Sequence, residues 1–456
     1  MSATNTTATV AWQGELPVRH DVDVFVAGGG PAGLAAAVAA AREGARVFLA
    51  EGQTCFGGMG TSGLIPVFMQ FADGVNFLAA GLGREIYEAM WDRGAAYPSC
   101  PRDNPTRIAS IRAEGLKRVY DTLVTAAGVQ FTFMTQVIGV QAAEGRIIHA
   151  FCAAKSGVFA VRAKQFIDAT GDGDLAAWAG APFEKGDAEG AMMPGTLCSL
   201  WADIDWPAVH AAKMWPQAYV PKGIEAGILT VPDLHLPGMW QVGDHVGGGN
   251  IGHLFGVDGT DERSLTAALM HGRRSLLEYE QFFKKILKGY ENMALVATGA
   301  LPGIRENRRI MGDYMLSVKD FEARAVFADE IGRYSYPVDI HASRPDAKAF
   351  KAFEEKFEKL RYQPGENYGI PYRCLTPRGL HNVFVTGRCI SADRAMQGSV
   401  RVMPGCFITG QAAGTAAAMA AAGSGDTRAV DVATLQGRLL KAGAYLPNAA
   451  AVRSSP

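Results

Sequence analysis

The chain has 456 residues, of which 20% are charged, and its net charge at pH 7 is -1. The length allows two or three domains with a large core. The balanced charge argues against a nucleic-acid-binding surface, and the sequence has no apolar run of 18 residues that would predict a membrane span. Glycine is frequent: it makes up 54 of the 456 residues, or about 12%, against a usual ~7%. Such an excess is typical of a backbone that approaches ligands closely.

The N-terminal segment, residues 1–20, lacks the basic region and apolar core of a signal peptide. We expect a polar tail there and a cytoplasmic protein. The seven cysteines are odd in number, scattered and without a C-x-x-C pair, so we predict neither a disulfide framework nor a zinc site. No other metal site is predicted from the sequence.

The first motif runs from an apolar segment through glycines into an alanine-rich segment. Residues 22–26 are typical of a parallel strand that is buried on both faces. Gly28, Gly30 and Gly33 follow with G-x-G-x-x-G spacing, which predicts a tight turn, a bare backbone for a diphosphate, and close packing of helix on strand. The alanine-rich run Ala32–Arg42 then predicts a helix.

The segment that follows completes this pattern. Pro31 suits the first helical turn, where its missing N–H costs nothing. Residues 45–50 predict the next strand, which ends at Glu51, and a carboxylate there can accept both ribose hydroxyls of an adenosine. The N–H groups at the helix N-terminus would face the diphosphate. An ordinary glycine turn is the alternative, but the ordered strand, glycines, helix, strand and acid favour a dinucleotide site.

Further elements follow along the chain. Residues 52–63 form an irregular, glycine-rich loop, and apolar spacing predicts helices over 81–93 and 111–126. Two strands are expected within 129–154, with a break at Glu144–Gly145. The segment "AKQFIDATGDGDLAAWAG" predicts a strand, a glycine–aspartate turn and a helix that begins near Asp174.

The middle of the chain, 185–370, is less regular. Its glycine-rich segment "GDHVGGGNIGHLFG" neither follows an apolar strand nor precedes an alanine-rich helix, so we do not predict a second nucleotide site there. Residues 348–360 are amphipathic and predict a surface helix. The strand–turn pattern returns at "NVFVTGRCISAD".

These patterns predict an α/β fold: a Rossmann-like FAD/NAD(P)-binding domain with an inserted substrate domain. The nucleotide-binding domain is predicted to be discontinuous and to consist of residues 21–75, 105–185 and 370–425. The substrate-facing insertion is predicted over 76–104 and 186–369. A C-terminal extension is predicted over 426–456.

Four segments together resemble the FAD-dependent oxidoreductase family with a glutathione-reductase type of FAD-binding domain. They are "VAGGGPAG…FLAE" with "FGGMGTSG", "FIDATGDGDLA", "GIRENRRIMGDYML", and "IPYRCLTP" with "VFVTGRCISAD…RVMPGCFITGQAAGTAA". The resemblance covers most of residues 21–425 and implies that FAD is the cofactor. The motif and the resemblance together predict these FAD-binding residues: Gly28, Gly30, Pro31, Ala32, Gly33, Glu51, Gly52, Gly57, Gly58, Met59, Thr61, Val137, Ala169, Thr170, Gly171, Asp172, Gly387, Arg388, Met403, Pro404 and Gly405.

The last alanine-rich helix, which begins near Pro404, has an electrostatic reason to face the flavin. Reduced flavin carries negative charge at N1 and the C2 carbonyl, and a helix N-terminus presents N–H groups and a partial positive charge to it. This arrangement favours hydride acceptance. The helix is also expected to pack in the core, because its small residues permit close approach.

The sequence contains one G-x-G-x-x-G that both follows an apolar strand and opens an alanine-rich helix, at Gly28, Gly30 and Gly33, and it has no evident nicotinamide domain. The simplest scheme is therefore that a small polar organic substrate, such as a hydroxy compound, sugar or amine, gives a hydride to flavin N5. Oxygen or another acceptor then removes the electrons. A flavin monooxygenase that uses NAD(P)H and a non-catalytic flavin-binding module are the alternatives.

Hydride removal beside a hydroxyl or amine needs a base, and a cation should hold the substrate. The insertion offers His245 and His253, and we predict His245 as the base because flanking glycines permit close approach; a structural histidine is the alternative. Arg305 is the predicted anchor for a carboxylate or an oxygen. Alternatively, Arg305, Arg308 and Arg309 form one charged face with local ion pairs.

Two further pairs of residues lie near the predicted flavin by sequence position. Tyr372 is a third predicted catalytic residue, because Tyr372 and Arg373 precede the last flavin strand, although they equally suit a strut between domains. Cys55 and Cys389 are expected to be buried structural thiols. The sequence leaves open whether one of them is bonded to the flavin.

Overall fold

A computed structural model describes residues 14–97, 102–345 and 360–449 of the chain. The strands are β1 (Val18–Ala27), β2 (Val47–Ala50), β3 (Val67–Phe68), β4 (Ala96–Tyr97), β5 (Ala109–Ile111), β6 (Gln130–Thr132), β7 (Gln136–Ala143), β8 (Arg146–Ala154), β9 (Gly157–Asp168), β10 (Phe183–Lys185), β11 (Gly195–Thr196), β12 (Ser199–Ala202), β13 (Gly238–Gln241), β14 (Gly247–Asn250), β15 (His253–Leu254), β16 (Ala294–Thr298), β17 (Arg308–Ile310), β18 (Glu330–Tyr334), β19 (Tyr368–Pro371) and β20 (Val383–Val385). The α-helices are α1 (Pro31–Arg42), α2 (Leu82–Asp92), α3 (Ala113–Ala126), α4 (Asp174–Trp178), α5 (Trp206–Ala212), α6 (Pro216–Glu225), α7 (Glu262–Ile286), α8 (Val318–Glu322), α9 (Arg394–Val400), α10 (Met403–Ala422) and α11 (Val432–Lys441).

The main sheet has the strand order β6-β2-β1-β9-β8-β7, and β20 pairs with the end of β9. Strands β6, β2, β1, β9 and β20 run parallel to one another. On its other side, the first part of β9 forms an antiparallel meander with β8 and β7. The parallel strands are apolar because both faces are covered. The protein thus has the α/β, Rossmann-like core that the sequence predicts.

Helices α1 and α10 pack together because glycines remove side chains from their contact. A Cβ atom at Gly410 would lie 2.2 Å from the carbonyl oxygen of Ala32, and one at Gly414 would lie 2.0 Å from that of Ala36. A Cβ at Gly33 would lie 1.8 Å from the carbonyl oxygen of Gly28. The small residues therefore bring the two helices and the first strand into direct backbone contact.

Part of the predicted insertion, residues 197–293, forms a layer with its own core. Strands β13, β14, β12 and β16 make an antiparallel sheet in that order. The long helix α7 contributes the buried Phe282 and Phe283 to the same core as Trp201 of β12. Gly247–Asn250 is a strand of this sheet, and not a phosphate-binding turn.

Several predicted elements match the structure, and one differs. The helices predicted over 81–93 and 111–126 correspond to α2 and α3, and α4 begins at Asp174. The segment 129–154 contains three strands, and not two, because a turn at 133–135 separates β6 from β7. The predicted break at Glu144–Gly145 is confirmed; both residues have a positive φ there.

Some predicted features lie outside the described residues or concern only part of them. All but the last residue of the surface helix predicted over 348–360 lies outside the described ranges. Residues 1–13 of the N-terminal tail and Cys100 also lie outside them. The other six cysteines are buried and free. Within the described ranges, no helix has both the length and the apolar character that crossing a bilayer requires.

Candidate active site

A cavity of about 590 Å³ opens at the carboxyl ends of the parallel strands. The residues just beyond β1, β2, β9 and β20 all line it: Gly28, Glu51, Ala169 and Thr386. Ligands of open α/β sheets bind at this edge, where strand order reverses. The opposite wall is made by the insertion, so one cavity is shared between the nucleotide-binding fold and the inserted layer.

The N-terminus of α1 forms one end of the cavity. Gly30 is the N-cap residue, and an added Cβ atom there would meet no heavy atom of the protein within 4 Å. The free N–H groups and partial positive charge of the helix favour an anion at this place. The geometry therefore fits a diphosphate group in the space next to Gly30.

Glu51 lies beside this helix at the end of β2 and is only 7% exposed. One carboxylate oxygen accepts a hydrogen bond from the backbone N–H of Gly29 at 2.6 Å, and the other accepts one from Gln53 at 2.6 Å. Burial raises the pKa of Glu51, and the backbone N–H groups of Gln53, Gly29 and Gly52 oppose this rise. Because each oxygen can accept a second bond, the carboxylate retains capacity for ribose hydroxyls.

Replacing Glu51 with alanine is expected to weaken FAD binding while the chain stays folded. The loss of a charged hydrogen-bond acceptor costs about 1.5–3 kcal/mol, or roughly 10- to 150-fold in the dissociation constant. Fluorescence titration of the apoprotein with FAD measures the effect. Glu51→Gln is the matched variant because it keeps the size and removes the charge. Wild-type affinity in both variants would remove Glu51 from the FAD site.

The N-terminus of α10 reaches the same cavity through Val402, Met403 and Cys406. Nearby, Arg388 is held by three partners: it donates to the carbonyl oxygens of Gly171 and Ile304 and pairs with Asp172 at 2.6 Å. This arrangement joins the turns after β9 and β20 and fixes the wall between the two helix N-termini.

Most residues predicted to bind FAD line this cavity. They are Gly28, Gly30, Pro31, Ala32, Glu51, Gly52, Gly58, Met59, Val137, Ala169, Thr170, Gly171, Asp172, Gly387, Arg388 and Met403. The remaining five, Gly33, Gly57, Thr61, Pro404 and Gly405, are not among the lining residues. Four of these have evident packing roles. Gly33 packs against Gly28, as described above; a Cβ at Gly57 would lie 2.5 Å from Tyr120, and a Cβ at Gly405 would lie 2.5 Å from the Val400 carbonyl oxygen. The Thr61 hydroxyl donates to the Phe56 carbonyl at 2.5 Å.

Arg305 lies on the insertion side of the cavity and is buried. Its guanidinium donates to the Pro194 carbonyl at 2.7 Å, to the Thr196 hydroxyl at 2.8 Å and to the Asn250 side-chain oxygen at 3.3 Å. All three partners are neutral, and in the described part of the chain no carboxylate forms an ion pair with this side chain. Burial lowers the pKa of Arg305 to about 10, so the group is still cationic at neutral pH.

The neighbouring arginines of the same segment behave differently. Arg308 pairs with Asp174 at 2.6 Å, and Arg309 pairs with the buried Glu306 at 2.6 Å. Local ion pairs therefore account for Arg308 and Arg309. Arg305 is distinct because it faces the cavity.

A histidine cluster lies at the same end of the cavity. His253 Nε2 is 3.0 Å from His341 Nδ1, and the ring of His235 stacks on that of His253 with centroids 5.2 Å apart. Asp233 lies 2.8 Å from the other nitrogen of His253, and Asp339 lies 3.2 Å from the other nitrogen of His341.

The electrostatics of this cluster are dominated by burial. Burial lowers the pKa of His235 to about 4 and also lowers the pKa values of His253 and His341. Burial alone would raise the pKa of Asp339, but His341 and the nearby arginines hold it well below its usual range. Asp339 is therefore charged at neutral pH.

The structure does not bring the predicted base, His245, to this site. His245 is exposed in the hairpin turn between β13 and β14, and it is not among the lining residues. Tyr372 is also away from the cavity: its hydroxyl donates to the Thr427 carbonyl at 2.6 Å, in agreement with the alternative of a structural strut. Of the three predicted catalytic residues, only Arg305 faces the cavity.

Sequence reasoning missed His235, His341 and Asp339, which do line the cavity. They lie in irregular segments without a recognisable motif, and His341 is 88 positions from its partner His253. His253 was identified as an available histidine, and its place directly after the glycine-rich strand was the only sequence signal for this cluster.

Together, the parallel sheet, the two helix N-termini and the acid after β2 define a dinucleotide-binding flavoprotein. The family model for FAD dependent oxidoreductases matches residues 23–439, and the chain belongs to this family. It is an enzyme, and its cofactor is FAD. The open space at Gly30, the free acceptor capacity of Glu51 and the helix termini all fit that cofactor.

Three solved structures are among those that are similar to this chain. A geranylgeranyl bacteriochlorophyll reductase-like protein from Thermoplasma acidophilum is 13% identical, with 93% of this chain and 82% of that chain covered and a TM-score of 0.44. The flavin-dependent brominase Bmp2 is 11% identical, with 92% and 83% covered and a TM-score of 0.44. A p-nitrophenol 4-monooxygenase from Pseudomonas putida DLL-E4 is 13% identical, with 65% and 70% covered and a TM-score of 0.41. No match was found among curated protein sequences. These similarities are too distant to indicate a substrate.

Proposed function

We propose that this FAD-dependent oxidoreductase oxidises a small polar organic substrate that carries a carboxylate, such as a hydroxy acid or an amino acid. The observation that carries the proposal is Arg305, a buried guanidinium on the cavity wall whose hydrogen-bond partners are all neutral. A charge in such a place is costly unless an opposite charge meets it. A substrate carboxylate would supply that charge.

The geometry of a guanidinium suits this role. Its planar set of N–H donors matches the two oxygens of a carboxylate, which fixes the orientation of the bound molecule as well as its position. Thr196 and Pro194 already hold one edge of Arg305. The side chain is thereby preorganised, so little conformational entropy is lost when the substrate binds.

The residues next to Arg305 suit the rest of the reaction. FAD, when bound, would supply the acceptor for a hydride from the carbon that carries the hydroxyl or amino group. The histidine cluster lies at the same end of the cavity and supplies the groups that stabilise the oxygen or nitrogen as it loses its proton. The cavity wall also includes Ile65, Leu301 and Trp240, which help to exclude water from the reacting atoms.

An anaerobic screen for flavin bleaching tests this function. We expect hydroxy acids or amino acids to bleach the flavin, and the corresponding esters or amides, in which the carboxylate is neutral, to bleach it far more slowly. Neutral sugars and simple amines are the comparison set. Bleaching by those compounds alone would contradict the carboxylate requirement, and bleaching by NADPH alone would favour the monooxygenase alternative.

A further inference from the structure

We propose that His235, His253 and His341 form a binding site for a divalent transition-metal ion beside the flavin cavity. One ring nitrogen from each residue lies within 4.8 Å of the other two. The observation is independent of Arg305 and of the proposed substrate. Imidazole nitrogen is a preferred ligand of zinc, iron, cobalt and nickel ions, so the class of metal follows from the ligands.

Two carboxylates hold the rings as they are held in metal centres. Asp233 lies 2.8 Å from Nδ1 of His253, and Asp339 lies 3.2 Å from Nε2 of His341. Asp233 also accepts the backbone N–H of His235 at 3.1 Å, so it positions the segment that carries the third ring. Metal-binding histidines almost always have such a carboxylate or carbonyl on the second ring nitrogen, because it fixes the tautomer and the ring orientation.

The contact between the two buried rings is the second argument. His253 Nε2 and His341 Nδ1 lie 3.0 Å apart, which is hydrogen-bond distance, so in the absence of a metal one ring donates to the other. A metal ion would instead accept the lone pairs of both nitrogens. The ring nitrogen of His235, within 4.8 Å of both, would supply a third ligand.

The distances suit a metal ion after a small movement. Nitrogen atoms 3.0 Å apart subtend about 90° at an ion that is bonded at about 2.1 Å. His235 is only half-buried and lies outside the helices and strands, so its ring can approach by the ~1 Å that coordination at this distance requires. Because His235 and His341 line the cavity, an open coordination position would face the substrate space.

The three histidines would leave one position on the ion for a further ligand. Three protein ligands and an open position are typical of catalytic metal sites, and a water or a substrate oxygen would occupy the fourth place.

The experiment is calorimetric titration of tag-free, FAD-loaded protein that has been treated with a chelator and dialysed. We expect one Zn²⁺ or Co²⁺ ion to bind per chain and Mg²⁺ not to bind. His235→Ala and His341→Ala should weaken Zn²⁺ binding more than the ~10- to 100-fold that is expected for Asp233→Asn, since the first two remove ligands and the third removes a partner of a ligand. FAD content and thermal unfolding report whether each variant is folded.

His245→Ala is the matched control because His245 is exposed and outside the cavity; it should bind Zn²⁺ with wild-type affinity. His235→Ala keeps the test decisive if His341→Ala does not fold. Absence of stoichiometric binding to the wild type, or equal affinity in wild type and His235→Ala, would overturn the proposal and assign a shared proton to the two rings. Substrate bleaching measured on the metal-free protein separates this result from the proposed function.

Discussion

Gly30→Leu is expected to leave the chain folded and to abolish tight FAD binding. The backbone of Gly30 has a φ of -63°, which any residue adopts, and an added Cβ atom meets no protein atom within 4 Å. The new side chain therefore projects into the space that suits the diphosphate. Forcing a side chain into an occupied place costs at least about 1–3 kcal/mol, so we expect FAD affinity to fall by roughly 5- to 150-fold or more.

Absorbance of the purified protein at flavin wavelengths, together with its far-UV circular dichroism, measures both parts of this expectation. Gly139→Leu is the control: Gly139 lies in the same sheet, outside the cavity, and its nearest contact to an added Cβ is 3.8 Å away. Gly33→Ala should behave differently from Gly30→Leu: the clash of the new Cβ with Gly28 should lower the stability of the fold itself. Full FAD occupancy in Gly30→Leu would show that the diphosphate lies elsewhere.

Arg305→Met is expected to impair oxidation of a carboxylate substrate strongly. Removing one partner of a buried, hydrogen-bonded charge pair costs about 2–5 kcal/mol, which corresponds to roughly a 30- to 5,000-fold fall in kcat/KM. Arg305→Lys should recover little of this loss because an ammonium group does not reproduce the planar set of donors. Rapid-mixing measurements of flavin reduction, with a substrate from the bleaching screen, give the rates and the substrate affinity.

The control for Arg305 is Arg309→Met, at another buried arginine of the same segment. Arg309 pairs with Glu306 and does not line the cavity, so its loss should lower the free energy of unfolding by about 3 kcal/mol. FAD content should stay normal in Arg305→Met. Equal losses of stability in the two variants, with unchanged substrate affinity in Arg305→Met, would make Arg305 a structural residue.

The nucleotide-binding half of the site was predictable because its determinants are contiguous in sequence. The strand, glycine turn, helix and acid from residue 22 to Glu51 follow one another directly in the chain, and local propensity and spacing express the contacts among them. The same reasoning applies to the start of α10, whose glycines and alanines indicated the close packing that the structure shows at Gly410.

The catalytic half was decided by tertiary structure. His245 and His253 are only eight positions apart in one glycine-rich segment, yet a hairpin turn exposes the first, whereas the pairing of β15 with β11 buries the second. Arg305 and Arg309 share a segment as well, and the positions of Glu306 and Glu184 decide that Arg309 is the paired one. Sequence spacing determined the dinucleotide motif because its residues are contiguous, whereas long-range strand pairing decided which histidines and which arginine face the cavity.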